Sequence, residues 1–225
     1  HVESFRQYAL INIRSLSRKK IKNIKEWNIS SIEIDYRTPG LIGKTVKKAL
    51  DSGLKVFAVN LPDCLGILSH FTQPRHVFAD EISDRLKVIA CIEKPNMTHS
   101  EDLNPSISSA EFAKIAAALG AGGNDAQIVF WGPADDIPTA LETIAERIRL
   151  AYDGVPNETR KVFSDGSSIF ERVLPGRDRM YPDTDSEPIP LTDEYIARFR
   201  EKIPADIALR YRQLKEWGIP EDTYR

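Results

Sequence analysis

The densest run of one charge in the chain is Arg14, Arg18, Lys19, Lys20, Lys22 and Lys25. Arg18, Lys19, Lys20, Lys22 and Lys25, stacked over about two turns of helix, would meet the phosphates of a nucleic acid, provided that a groove lies alongside. No aromatic residue is interleaved among them, as a single-strand stacking platform requires. A solvated helix face is therefore the alternative reading.

Other chemistry has weaker support. The four histidines, His1, His70, His76 and His99, offer no i, i+3 or i, i+4 pair, so no metal site is expected. Cys64 and Cys91 lie in apolar surroundings without a CxxC spacing and read as buried, reduced thiols. Lys94 is the nearest cation to either, which is weak ground for a thiolate nucleophile. His99-Ser100-Glu101-Asp102 could hold an acid/base group, although adjacent Ser, Glu and Asp residues more often cap the following turn. Gly120-Ala121-Gly122-Gly123-Asn124-Asp125 follows a helical pattern and leads into a strand, the reverse of a phosphate-binding loop, and reads as a plain turn.

These residues must be carried by a folded body of ordinary composition. The chain has 225 residues, 41% hydrophobic and 28% charged, which excludes a disordered or fibrous protein. Its 31 Lys and Arg nearly balance 33 Asp and Glu, so the net charge of -2 gives no global reason for nucleic-acid or membrane binding. The charge is divided along the chain, with cations predominating over residues 1–60 and acids over 101–158. No apolar run approaches the roughly 20 residues of a membrane-spanning helix, and a reducing, cytoplasmic setting is expected.

The periodicity predicts a long amphipathic helix, or two joined short ones, over Val2 to Trp27. Strand Ile32 to Tyr36, helix Leu41 to Ser52 and strand Lys55 to Asn60 form a candidate βαβ-like unit. An irregular loop, Leu61 to Arg75, follows. Next come a helix over 77–86, a strand Lys87 to Glu93 and a polar loop Lys94 to Ile107. Ser108 and Glu111 have capping-box spacing for a helix that ends at Leu119-Gly120. Strand Ala126 to Trp131 and a helix from Asp135 or Asp136 through Tyr152 complete this stretch. Asp165-Gly166 marks a hairpin, four prolines make Pro175 to Pro190 extended, and short helices are expected over 193–202 and 205–217. The fold class is α+β, with an antiparallel or mixed sheet and helices on one face.

One stretch is specific enough to carry a resemblance. Pro175-Gly176-Arg177-Asp178-Arg179-Met180-Tyr181-Pro182-Asp183-Thr184-Asp185 closely resembles the Pro-Gly-x-x-Arg-Met-Tyr-Pro-(Glu/Asp)-Thr-Asp signature of the GatE component of glutamyl-tRNA(Gln) amidotransferase. Gly154-Val155-Pro156-Asn157-Glu158-Thr159-Arg160 and Ala118-Leu119-Gly120-Ala121-Gly122 resemble two further segments of GatE. His99-Ser100-Glu101-Asp102-Leu103 is similar to a third, with its acids exchanged in order.

The resemblance implies an enzyme that converts Glu-tRNA(Gln) to Gln-tRNA(Gln), using ATP and Mg2+ in a catalytic cradle and ammonia from an asparaginase-like partner, GatD. On this reading residues 1–54 are a basic stretch of helix plus the first part of the βαβ-like unit, and 55–160 correspond to a GAD-like α+β domain inserted in the cradle. Residues 161–191 return towards the cradle, and 192–225 begin a helical domain. The catalytic residues are expected to precede the insertion, leaving none in this chain and no cofactor of its own. Arg179, Met180, Tyr181, Pro182, Asp183 and Asp185 would contact the cradle. The implied partners are tRNA(Gln) and GatD, with no membrane or DNA. The alternative is a protein-interaction module unrelated to RNA.

Overall fold

The computed structural model describes residues 13–223 except positions 39, 155, 175–189, 201 and 204–205. The chain divides into two compact units, residues 1–174 and 175–225.

The first unit is organised on a four-stranded sheet of order β1-β2-β6-β5, all neighbours antiparallel. Its strands are β1 (Ser30–Ile34), β2 (Lys55–Leu61), β5 (Met97–His99) and β6 (Ala126–Gly132). β2 and β6 are apolar almost throughout because both of their faces are covered. Val59, Leu61, Ile128 and Phe130 point to one face, where Ile82 and Leu86 of α3 (Phe78–Ile89) and Ile144 and Ile148 of α5 (Ile137–Asp153) close over them. Val56, Ala58, Val129 and Trp131 point to the other, beneath Val46 and Ala49 of α2 (Lys44–Asp51) and Phe112 and Ile115 of α4 (Ser109–Leu119). Each Ile, Leu or Phe so buried contributes about 1.5–3 kcal/mol.

The α+β class with an antiparallel sheet is as expected, but helices cover both faces of the sheet rather than one. The amphipathic α2 and α4 need a second apolar surface, and the pleat of β2 and β6 supplies it. The strand–helix–strand order over 30–60 is present, yet β1 and β2 are antiparallel neighbours, so no parallel crossover unit forms. Ser108 caps α4 as its spacing with Glu111 predicts: Ser108 Oγ accepts the Glu111 N–H at 3.3 Å and Glu111 accepts the Ser108 N–H at 2.8 Å. Gly120 ends that helix at φ 66°, a conformation glycine adopts without strain.

Three expected elements differ. No strand spans Lys87 to Glu93: α3 runs on to Ile89, and Ala90 and Ile92 then tuck into the core from the following turn. An apolar run of this length fits a helix end and a strand equally well. Cys91 is consequently exposed, at φ 53°, rather than buried. The expected loops instead hold β3 (Phe71–Gln73), which pairs with β4 (His76–Val77), and the three-residue β5. Within the described part of the first helical pattern, α1 spans only Ser15–Lys20 and stops at Ile21, whose backbone is extended.

A hairpin, β7 (Glu158–Val162) and β8 (Ser168–Val173), turns at Gly166, where φ is 83°. In the second unit, α6 (Asp193–Arg200) carries the Tyr195 and Phe199 rings 4.8 Å apart, and Asp206 caps α7 (Ile207–Glu216) through the Ala208 N–H at 3.0 Å.

Candidate nucleic-acid interface

The basic segment rides on an anchored stretch. Ile13, Ile21 and Trp27 are buried in the core under α3 and α5, and the Trp27 indole N–H donates to the Pro62 carbonyl at 2.8 Å. Burial of these apolar positions forces the intervening polar ones outward. Lys19, Lys22 and Lys25 are exposed, while Arg14 and Lys20 are half-buried. Arg18 serves the fold as well as the surface. Its Nε donates to the Tyr152 carbonyl at 3.0 Å and its guanidinium lies 5.2 Å from the Tyr152 ring centre. A cation on the last-turn carbonyls of α5 also complements the negative helix end. The Lys20 side chain runs towards Gly66.

A shallow groove of about 320 Å³ lies beside this segment, between Ile21, Lys22, Asn23 and Trp27 on one side and Pro62 and Asp63 on the other. Glu26 and Asp63 lie at its edge, so the surface is mixed rather than uniformly positive. The structure thus places Lys22 at a groove and Lys19 and Lys25 on open surface.

Carboxylates shape the neighbouring loops. Asp125 accepts the Gly122 N–H at 2.9 Å, the Asp63 N–H at 3.0 Å and the Asn60 amide at 2.8 Å. Burial raises the Asp125 pKa, but these hydrogen bonds outweigh it and hold the carboxyl below its ordinary value. The glycine turn is therefore filled by its own acid, in keeping with its reading as a turn. Glu101 accepts the N–H groups of Gly66 and Ser69, the latter at 2.9 Å, and Asp102 accepts the Asn104 N–H at 3.0 Å. His99, in β5, is 7% exposed, and burial lowers the pKa of its imidazole. Ser100, Glu101 and Asp102 thus serve local structure, with Ser100 Oγ accepting the Gln127 N–H at 3.0 Å.

Sequence reasoning missed a buried ionic cluster. Glu81 and Arg85 from α3, Arg147 from α5, and Glu158 and Arg160 from β7 are all nearly enclosed. Arg85 pairs with Glu158 and lies 4.6 Å from the Phe170 ring, and Arg147 lies 4.7 Å from the Phe78 ring. Gln73 joins the cluster to β8, its Oε1 accepting the Ser168 N–H at 2.8 Å. The available signal was charge at inward helical positions: Glu81 and Arg85 share the stripe of Phe78 and Ile82. Arg179, Met180, Tyr181, Pro182, Asp183 and Asp185 lie outside the described residues.

Among the described residues no group of three or more His, Cys, Asp or Glu could hold a metal ion. No helix among them is long and apolar enough to cross a membrane.

No family model matches the chain. Individual proteins do. The chain is 33% identical to the GatE component of glutamyl-tRNA(Gln) amidotransferase from Sulfolobus acidocaldarius over 225 residues, covering 98% of this chain and 35% of that protein. It is 33% identical to the GatE protein of Pyrococcus furiosus, covering 95% of this chain and 34% of that protein. For the GatE protein of Methanocaldococcus jannaschii the identity is 34%, over 90% of this chain and 32% of the relative. The chain thus spans about a third of the length of the curated relatives that it matches, and along nearly all of its own length it corresponds to a portion of the GatE component of glutamyl-tRNA(Gln) amidotransferase.

Proposed function

We propose that this portion serves a tRNA-dependent amidotransferase as a positioning body, holding tRNA(Gln) or neighbouring subunits while Glu-tRNA(Gln) is converted to Gln-tRNA(Gln). The correspondence to GatE over nearly the whole chain carries this reading. The exposed Lys19, Lys22 and Lys25, with Lys20 and Arg14 behind them, supply the cations that a phosphate backbone requires. Residues 55–160 act as a GAD-like domain, 161–191 return to the cradle and 192–225 open a helical domain. ATP and Mg2+ belong to the cradle of the whole enzyme, ammonia comes from the asparaginase-like GatD, and the setting is the cytoplasm.

Filter binding of tRNA to the whole GatE protein, across a salt series, tests the basic segment. Replacing Lys19, Lys20 and Lys22 together by Ala should weaken binding and lower the salt slope by about one for each lysine on a phosphate. Unchanged affinity and slope would refute the assignment.

A further inference from the structure

A second groove lies on the opposite face of the sheet from the basic segment. It has a volume of about 540 Å³ and opens between α2 and the loops that carry Pro95, Asn96 and Ser106. That volume falls within the range of small-ligand sites, about 300–1,000 Å³. One stripe of α2 forms a wall: Lys44 and Lys48, one turn apart, with Thr45 and Ala49 beside them. The Thr45 hydroxyl donates to the Ser106 carbonyl at 2.6 Å, tying the two walls together. Trp131 lies at the base, packed in the core and 8% exposed.

The charges set this groove apart from the rest of the helix. Lys47, on another face of α2, is paired with Asp51 at 2.9 Å, and Lys55 is paired with Glu33 at 2.6 Å. Among the described residues, neither Lys44 nor Lys48 has such a partner, and no carboxylate lines the groove. Two lysines without an ion-pair partner thus share the groove with the indole of Trp131, the Pro95 ring and the Asn96 amide. This combination recognises a ligand with an anionic end and a flat, partly apolar body carrying hydrogen-bonding edges.

We propose that this groove is a nucleotide-binding site. It takes a phosphate between Lys44 and Lys48 and lays the attached base against Pro95 and the Trp131 edge, within reach of the Asn96 amide. Lysine ammonium groups give charge-assisted contacts to phosphate oxygens. With lysines and no acidic side chain along its walls, the groove offers no ligands to a bridging metal, so the ligand is a metal-free nucleotide, either free or carried in a single-stranded stretch of RNA. The site is separate from the basic segment and does not depend on it.

The test uses the full chain with two probes, 5′-AMP and a short single-stranded oligoadenylate, without added metal. Calorimetry gives the affinities. The indole N–H resonance of Trp131, assigned by its loss in Trp131→Phe, reports the place of binding. Binding of either probe should shift that resonance, and Lys44→Ala/Lys48→Ala should weaken it about tenfold or more, as loss of a charge-assisted contact does. Binding of both probes identifies a site open to free nucleotide, and binding of the oligomer alone identifies RNA as the source. If neither probe binds, or the double variant binds as tightly as the parent, or the Trp131 resonance stays still on binding, the proposal is wrong. Both lysines are exposed, and an unchanged melting temperature in the double variant rules out unfolding as the cause of the loss.

Discussion

Arg160 and Glu81, 79 positions apart in the chain, meet in a two-point ion pair, with Nη2 to Oε1 at 2.7 Å and Nη1 to Oε2 at 2.9 Å. The fork of the guanidinium matches both carboxylate oxygens and joins the β7–β8 hairpin to the helix covering the main sheet. Burial raises the Glu81 pKa, but Arg160, with Arg147 and Arg85, outweighs this and keeps the carboxyl below its ordinary value. Glu81→Gln should therefore cost about 3–5 kcal/mol, because it leaves buried guanidinium charge uncompensated. The double variant Glu81→Leu/Arg160→Met removes both charges and should cost much less than either single change. Denaturant midpoints of the parent, Glu81→Leu, Arg160→Met and the double variant check this. A double variant that loses the sum of the singles would show that the pair is not coupled.

Acidification should destabilise the fold in two stages. The His99 pKa is lowered from its ordinary 6.5 by burial, so the unfolded chain takes up a proton there first and stability begins to fall below about pH 6.5. Glu81 and Asp125 have depressed values, so their contribution is complete above the ordinary carboxyl range and is lost as pH falls through their folded-state values. Asp84, whose pKa burial raises, acts in the opposite sense and makes the second stage shallower. Midpoints measured from pH 7 downwards should show both stages, and His99→Gln should remove the first.

The two thiols should separate cleanly. Cys91 is exposed, whereas Cys64 is fully buried, with its pKa raised by burial and by Asp63 and Asp125 nearby. A thiol reagent at mild alkaline pH should modify one cysteine quickly in the native protein and the second only in denaturant. Two fast thiols would contradict the burial of Cys64.

Glu101 holds the loop around Gly66 and Ser69 from a distant strand connection. Glu101→Ala should cost about 0.5–1.5 kcal/mol through the lost hydrogen bonds, because water can reach the exposed amides. Hydrogen exchange should accelerate at Gly66 and Ser69 before it does so in β2 or β6.

Arg18 differs from its lysine neighbours in what its loss should do. Arg18→Ala removes the Tyr152 contacts that pin α1 to the end of α5, so the melting temperature should fall along with any loss of tRNA affinity. Lys19→Ala, at an exposed position, should leave the melting temperature within error of the parent.

The sequence spoke most clearly where a local rule operates by itself. Ser108 with Glu111, Gly120 and Asp165-Gly166 mark ends and turns through their own hydrogen bonds and backbone preferences, and each lies where expected. The antiparallel order of β1 and β2 depends on pairing between strands, which no short-range pattern encodes. The ionic cluster was hidden for a similar reason. Glu158 and Arg160 look like ordinary polar strand residues until the hairpin is docked, and the partners that make their burial tolerable lie on helices far away in sequence. The basic segment was plain to read, but the involvement of Arg18 with Tyr152 required the fold.

The central ladder sets an order on how the molecule is made. β1, α2 and β2 can associate as soon as they are synthesised, but the other side of β2 is filled only by β6, whose last residue is Gly132. Until the ribosome has released that segment, the apolar stretch Val56–Leu61 keeps one row of main-chain donors and acceptors unclaimed. This is the condition under which foreign strands add on. Nascent chains that stall before Ala126 should therefore depend on chaperones far more than those that stall after Gly132.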